Sequence, residues 1–398
     1  MKILLVNDNA TLFAGAEVMV LTLRDGLRQM GHDARFFSSS ARPGGGESLA
    51  DYECFGTTSR FRTLLQTANP WAFWQLRRVL AEFRPDVVHI KLFLTQLSPL
   101  ILPLLRDVPS LYHAVWYRSI CPLGAKVLPD GSSCQVAAGT ACYHNGCLPW
   151  HDWLPLMLQM QLWRRWRHAF KLIVANSEAV KRRLMVEDFE SVEVAWNGVP
   201  TRPARPLLAS PPTVACAAQL VRNKGVDVLI KAFAKVVRRV PEGRLLLAGA
   251  GPEEASLKEL VDDLDLSDSV SMLGYLSRDE MERRFDAAWV QAVPSRWTEP
   301  FGLVAAEAMM RGTAVVASAA GGLVEIVRDD QSGLLVPPGN VDALAEALLR
   351  LLRDRELAER MGKVGRQVAL EHFSQVAVTN RFVQLYQRLC CSRGYPNG

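Results

Sequence analysis

Two carboxylates, Glu299 and Glu307, stand eight positions apart in the stretch from Ser295 to Met309, separated by Pro300, Phe301 and Gly302. From Leu303 onward the residues are strong helix formers, so a helix is expected to start at Gly302 or Leu303. Pro300 cannot lie inside that helix but is acceptable just before its first turn. Glu299 then sits on a rigid loop above a helix N-terminus, with Glu307 about one turn further in. The free N–H groups of a helix start form an anion site suited to a phosphate or diphosphate. A carboxylate beside that site can accept hydrogen bonds from sugar hydroxyls. An acidic cap and a surface glutamate would look the same in sequence, so the pair alone leaves both readings open.

Other residues of chemical interest are dispersed. Cys121, Cys134, Cys142 and Cys147 lie irregularly with His144 and His151 nearby, and no Cys-x-x-Cys pair occurs among them. Cysteine and histidine are zinc ligands, so a structural zinc, a disulfide and unrelated structural thiols all stay open. Asp263 and Asp265 form an Asp-x-Asp string at the end of a helical pattern and read as solvated surface, so no catalytic metal is implied.

The elements that must position these residues alternate strand and helix. Lys2–Val6 reads as a buried parallel strand, followed by a helix opening at Ala14, Gly15, Ala16 and Glu17 and by the strand 34–37. This βαβ start is Rossmann-like, and Gly15 lies at the carboxyl end of its first strand, where such sheets bind ligands. His89 and His113 fall at the ends of later strands; His89 reads as structural and His113 as facing the ligand edge. A Pro-rich linker covers 200–212. The pattern then repeats with a strand at 213–218, a loop holding Arg222, Lys224 and Gly225, and a helix from Val226.

The expected division is therefore an N-terminal α/β domain at 1–199 with a cysteine-bearing insert at about 118–150. A linker (200–212), a second α/β domain (213–372) and a C-terminal helix (373–398) follow. A chain of 398 residues suits two domains, and 49% apolar residues supply ample core. The net charge of +5, mostly N-terminal, is too weak to argue for nucleic acid. No signal core follows Met1 and Lys2, and Leu92–Leu105 reads as a buried helix rather than a membrane span, so a cytoplasmic chain with reduced thiols is expected. The helical stretch 153–170, with Trp163, Arg164, Arg165, Trp166 and Arg167, fits either a membrane interface or an ordinary packed helix.

The ordered motifs at 245–252, 270–276, 295–309, 315–322, Glu325, 332–336 and 338–339 resemble the retaining glycosyltransferases of family 4. The likeness covers nearly the whole chain. It implies the GT-B fold: two Rossmann-like domains facing a central cleft, with the C-terminal helix crossing back to the N-terminal domain. It implies transfer from a nucleotide sugar to a hydroxyl acceptor (glycan, lipid-linked or small molecule), a UDP-sugar being favoured over a GDP-sugar, with no cofactor or metal required. The resemblance gives His113, Lys224 and Glu299 the catalytic roles and Glu307 the nucleotide ribose. Leu276 would lie by the base, and Gly15 and the backbone of Phe301, Gly302 and Leu303 by the diphosphate. The family's arginine five residues before the lysine is Gln219 here, so Arg222 is inferred to replace its charge. The aspartate after the histidine is Ala114. Two competing readings are a nucleotide-sugar epimerase of the same architecture and a degenerate transferase kept for binding. The resemblance also admits peripheral contact with the inner face of a membrane.

Overall fold

The computed structural model describes residues 1–11, 15–209 and 211–391. The chain forms two compact units, Met1–Gly198 with the C-terminal helix Gln375–Cys391, and Val199–Ser374. Ala14 and the residues after Cys391 lie outside the described part.

In the first unit seven parallel strands, β1 (Lys2–Val6), β2 (Asp33–Ser39), β3 (Tyr52–Cys54), β4 (Val87–Ile90), β5 (Ser110–Ala114), β6 (Leu172–Ala175) and β7 (Val192–Val194), follow the order β3-β2-β1-β4-β5-β6-β7. The inner strands β4 and β5 are buried along their whole length, as a parallel sheet covered by helices on both faces requires. The order reverses between β1 and β4, and the crevice beyond the carboxyl ends at such a reversal is where open α/β sheets take ligands. The helix Gly15–Gln29 packs against Gln375–Cys391 at Gly26, where an added Cβ would stand 2.6 Å from Thr379 Oγ1. Gln375 Nε2 donates to Thr22 O at 2.9 Å, and the Tyr386 hydroxyl lies 2.6 Å from His89 Nδ1, tying that helix to β4.

Three expectations change here. Leu92–Leu105 is not one helix; only Pro99–Leu105 coils, as a 3₁₀ segment, because Pro99 and Pro103 lack the N–H groups an α-helix needs. The basic aromatic stretch lies in a helix running Trp150–Trp166, and Trp163 is fully buried, its Nε1 donating to Ser119 O at 2.8 Å. Arg164 and Arg167 donate to the carbonyls of Ala138 and Asp188, while Arg164 and Arg165 stay exposed, so Trp163 is the residue of this stretch that enters the core. The zinc and disulfide options for Cys121, Cys134, Cys142 and Cys147 also lose support. All four thiols are free, and among the described residues no group of three or more His, Cys, Asp or Glu is placed to hold a metal. Hydrogen bonds from Lys126, Arg164 and Arg183 to backbone carbonyls of 134–138 hold the segment instead.

The second unit repeats the plan with six parallel strands, β8 (Thr213–Ala217), β9 (Arg244–Ala248), β10 (Val270–Gly274), β11 (Val290–Val293), β12 (Ala314–Ser318) and β13 (Gly333–Val336), in the order β10-β9-β8-β11-β12-β13. Its reversal falls between β8 and β11. The helices Val226–Val237 and Val341–Arg353 bury Leu229, Phe233, Leu348 and Leu352 over the sheet. Among the described residues no helix is long and apolar enough to cross a membrane.

Replacing Tyr386 by Phe leaves the buried His89 Nδ1 without a partner and should destabilise the first unit by ~1–3 kcal/mol. A urea midpoint unchanged from wild type would show that the C-terminal helix is not held to the sheet by this bond.

Candidate functional site

The chemistry-bearing loops of the second unit both leave the sheet at its reversal. The β8 loop ends in a 3₁₀ turn, Arg222–Lys224, and Gly225 follows with φ of 67°. A Cβ on Gly225 would stand 2.1 Å from Pro294 O in the loop after β11, so only glycine allows the two loops to touch here. Arg296 N donates to Asn223 O at 2.8 Å and fixes the contact.

That contact brings Lys224 to Glu299. Lys224 Nζ and Ser295 Oγ both donate to Glu299 Oε1 at 2.6 Å, and the carboxylate is buried. The ammonium also lies 5.1 Å from the centre of the Trp297 ring, a favourable cation–π distance. From the other side Gly322 N donates to Glu299 O at 2.7 Å, and Gly321 comes so close that a Cβ would stand 2.1 Å from the same oxygen. The carboxylate of Glu299 is held from one side and its backbone from the other before any ligand arrives.

Three residues on, Gly302 caps the helix Leu303–Arg311 in the left-handed region, φ 109°, with no side-chain hydrogen bond to the first turn. A Cβ there would stand 2.5 Å from Leu323 Cδ2. The uncapped helix start next to Lys224 and Glu299 is suited to an anion. Phe301 is buried edge-on against Phe373 at 5.7 Å, so its backbone rather than its ring is available beside that start. Leu303 is half-buried.

Two family models tile the chain: "Glycosyltransferase Family 4" matches residues 13–203 and "Glycosyl transferases group 1" matches residues 201–368. The chain belongs to the family 4 glycosyltransferases. Sucrose-phosphate synthase from Thermosynechococcus elongatus superposes with a TM-score of 0.74 at 24% identity, over 98% of this chain and 99% of that one. HepE from Anabaena, in complex with UDP and glucose, superposes with a TM-score of 0.68 at 21% identity, over 97% and 99%. The fold is GT-B. A curated relative, the GDP-mannose-dependent alpha-(1-6)-phosphatidylinositol monomannoside mannosyltransferase of Mycobacterium tuberculosis, is 36% identical over 166 residues. The match spans 40% of this chain and 43% of that relative, less than half of each.

In this glycosyltransferase-family chain the remaining expected residues are placed as follows. Glu307, on the Leu303–Arg311 helix, forms an ion pair with Arg278 at the start of the helix Arg278–Phe285. Arg278, Ser295 and Trp297 are partners that sequence reading did not assign, because each depends on which loops meet. Leu276 is half-buried over Phe285 and Ala248, and the neighbouring Tyr275 is exposed. Arg222 lines a polar cavity of about 420 Å³ with Asp227, Lys231, Glu253 and Arg296. In the first unit Gly15 opens the helix after β1. His113, next to last in β5, is fully buried and meets the backbone of Ala195, and burial holds its pKa well below the usual histidine value.

Gly302→Ala adds a methyl group against Leu323 at a backbone conformation that disfavours it, and should cost ~1–3 kcal/mol. The expected result is a lower melting temperature; a variant that melts as the wild type does would show that the left-handed cap is not required.

Proposed function

We propose that the protein transfers a hexosyl group from a nucleoside-diphosphate sugar to a hydroxyl acceptor, with retention of anomeric configuration and without a metal. The observation that carries this reading is the cluster of Lys224, Ser295 and Glu299 at the sheet reversal beside the Gly302 cap. Breaking the bond from the anomeric carbon to the diphosphate builds charge on the leaving oxygens, and fixed donors aimed there help most. Lys224 has three N–H donors and gives one to Glu299, leaving two for a phosphate. The uncapped first turn from Leu303 supplies backbone N–H groups for the same anion. Glu299 is fixed as an acceptor for sugar hydroxyls and Glu307, with Arg278, is assigned to the nucleotide ribose. His113 would face the sugar.

Glu299 already accepts two hydrogen bonds at one oxygen, so it is not offered as a covalent nucleophile. The acceptor hydroxyl attacks the anomeric carbon on the face the diphosphate leaves; its proton passes to the departing phosphate oxygen and the C–O bond to phosphate breaks. An epimerase would bind the same donor but yield product with no acceptor present. The mannosyltransferase relative is named for GDP-mannose and the HepE structure holds UDP, so both nucleotides belong in the assay. A thermal-shift panel of UDP-, GDP-, ADP- and dTDP-sugars should give one selective stabilisation. That shift should vanish in Lys224→Ala, with turnover reduced by on the order of 10²-fold or more. Chelator should leave turnover unchanged, and product NMR should show the donor's anomeric configuration. Inversion would sink the mechanism, and stabilisation without transfer would leave a binding protein.

We also propose that the first unit rests on an anionic lipid surface, through a different face from the one the sequence suggested. Phe61, Leu64, Trp71, Trp74, Trp150 and Leu154 are each more than half exposed. Arg60, Arg62, Arg77 and Arg78 lie among them, with no acidic residue from Cys54 to Ala81. Thr63 Oγ1 donates to Asp152 Oδ1 at 2.9 Å and joins the helices Arg62–Thr67 and Trp150–Trp166. Exposed aromatics flanked by arginines suit the headgroup boundary. The protein should sediment with phosphatidylglycerol-containing vesicles but not with pure phosphatidylcholine, and the double change Leu64→Ser with Trp74→Ser should release it. Equal binding by the variant would refute this face.

A further inference from the structure

The reversal of the first sheet holds a buried cation with no hydrogen-bond or ion-pair partner among the described residues. Lys91 directly follows β4, and its backbone N donates to Val6 O at the end of β1. Its side chain is 4% exposed. The other buried cations among the described residues all have partners: Arg118 donates to Gln66 and Leu94 O, Lys126 to Glu187, Arg205 to Glu359 and Arg311 to Gln291. The Lys91 ammonium has no hydrogen-bond or ion-pair partner among the described residues. A buried charge left this way is costly, and such groups persist where something else completes them.

What surrounds it is a small, partly open cavity of about 20 Å³ lined by Lys91, His113, Asn197, Gly198, Thr379 and Phe382, among others. The space is that of one oxygen-sized group. His113 and Asn197 are at least 97% buried, at 1% and 3% exposure; Asn197 Oδ1 is unpartnered, and His113 meets the backbone of Ala195. Lys91, His113 and Asn197 thus converge on one small space at the ligand edge of the sheet.

The charged and titratable groups around Lys91 do not answer its charge. On the helix Gly15–Gln29 the buried Glu17 attracts Lys91 from beyond ion-pair distance, and its own Oε2 is unpartnered. Asp8, past β1, is fully engaged by Thr95 N and Oγ1, Gln96 N and Leu97 N. His89 on β4 bonds to Tyr386 of the C-terminal helix, and burial holds both His89 and His113 well below the usual histidine pKa, as neutral rings. That helix brings no charged group to the cavity.

We propose that this cavity is a phosphoryl subsite, in which Lys91 pairs with one anionic oxygen of a substrate phosphate. The source of that phosphate rests on the transferase reading: it is either the diphosphate of the donor or a phosphate carried by the acceptor. Burial supports the assignment, since it pushes Lys91 down to about 7, where an arriving anion would restore the charged form.

The test measures binding of UDP, GDP, glucose 1-phosphate and inorganic phosphate to the full chain by calorimetry, with Lys91→Met, Lys91→Arg and Lys224→Ala compared to wild type. Lys91→Met should bind the relevant phosphate at least about 10-fold more weakly, the effect of one lost charged hydrogen bond. As pH rises above about 7 the wild type should lose affinity relative to Lys91→Arg, whose charge does not titrate. Loss of nucleotide affinity in both Lys91→Met and Lys224→Ala names the donor as the source. Loss confined to glucose 1-phosphate or inorganic phosphate names an acceptor phosphate. A Lys91-dependent phosphate signal in a protein that binds no nucleotide would keep this subsite and remove the transferase reading. If Lys91→Met binds every one of these anions as wild type does and is more thermostable, the cavity holds only water and the proposal fails.

Discussion

The second unit depends on one close backbone contact, the approach of Gly225 to the carbonyl of Pro294. A side chain at Gly225 would push the β8 loop away from the β11 loop. Lys224 would then no longer reach Glu299, and the carboxylate would lose the one cation that meets it among the described residues. Gly321 and Gly322 repeat the device on the opposite side, pressing the loop after β12 onto the backbone of Glu299 and Phe301. Three missing Cβ atoms thus hold a buried carboxylate, a lysine and an uncapped helix start in one place. The arrangement is pre-organised, so its donors need little reorganisation when charge develops on a ligand.

The first unit shows the opposite economy. Its central reversal carries Asp8, Glu17, Lys91, His89 and His113, all buried, and only Asp8 is fully satisfied by its surroundings. Burial raises the pKa of Asp8 and Glu17 and lowers those of Lys91 and the two histidines, so every group there is drawn toward its neutral form. A packed core has no reason to retain so many incomplete polar groups, because apolar residues of similar size would be cheaper. Sites that meet a polar ligand do have that reason.

Much of the fold was legible in the chain itself. Apolar runs such as Lys2–Val6 and Val315–Ala317, bounded by turn residues, announce parallel strands, because a strand covered on both faces must be apolar throughout. The start of the helix at Leu303 followed from Pro300 and Gly302, whose backbone preferences are local. The carboxylates at 299 and 307 and the lysine at 224 were visible as residue types at spacings that anion chemistry needs. Leu92–Leu105 was misread because its apolar content hid what its two prolines forbid. Trp163–Arg167 stayed open because composition does not say which side of a helix meets the core.

By itself the sequence determined the local conformations, the alternation of strands and helices, and a family whose motifs stand in order along the chain. Only the tertiary structure decided the pairings. That Lys224 and Ser295 meet Glu299, that Arg278 meets Glu307 and that Lys91 finds no partner among the described residues all depend on loops distant in sequence. The reason is physical: φ and ψ preferences and hydrophobic period act over a few residues, whereas a hydrogen bond between residues 224 and 299 exists only once two strands lie side by side.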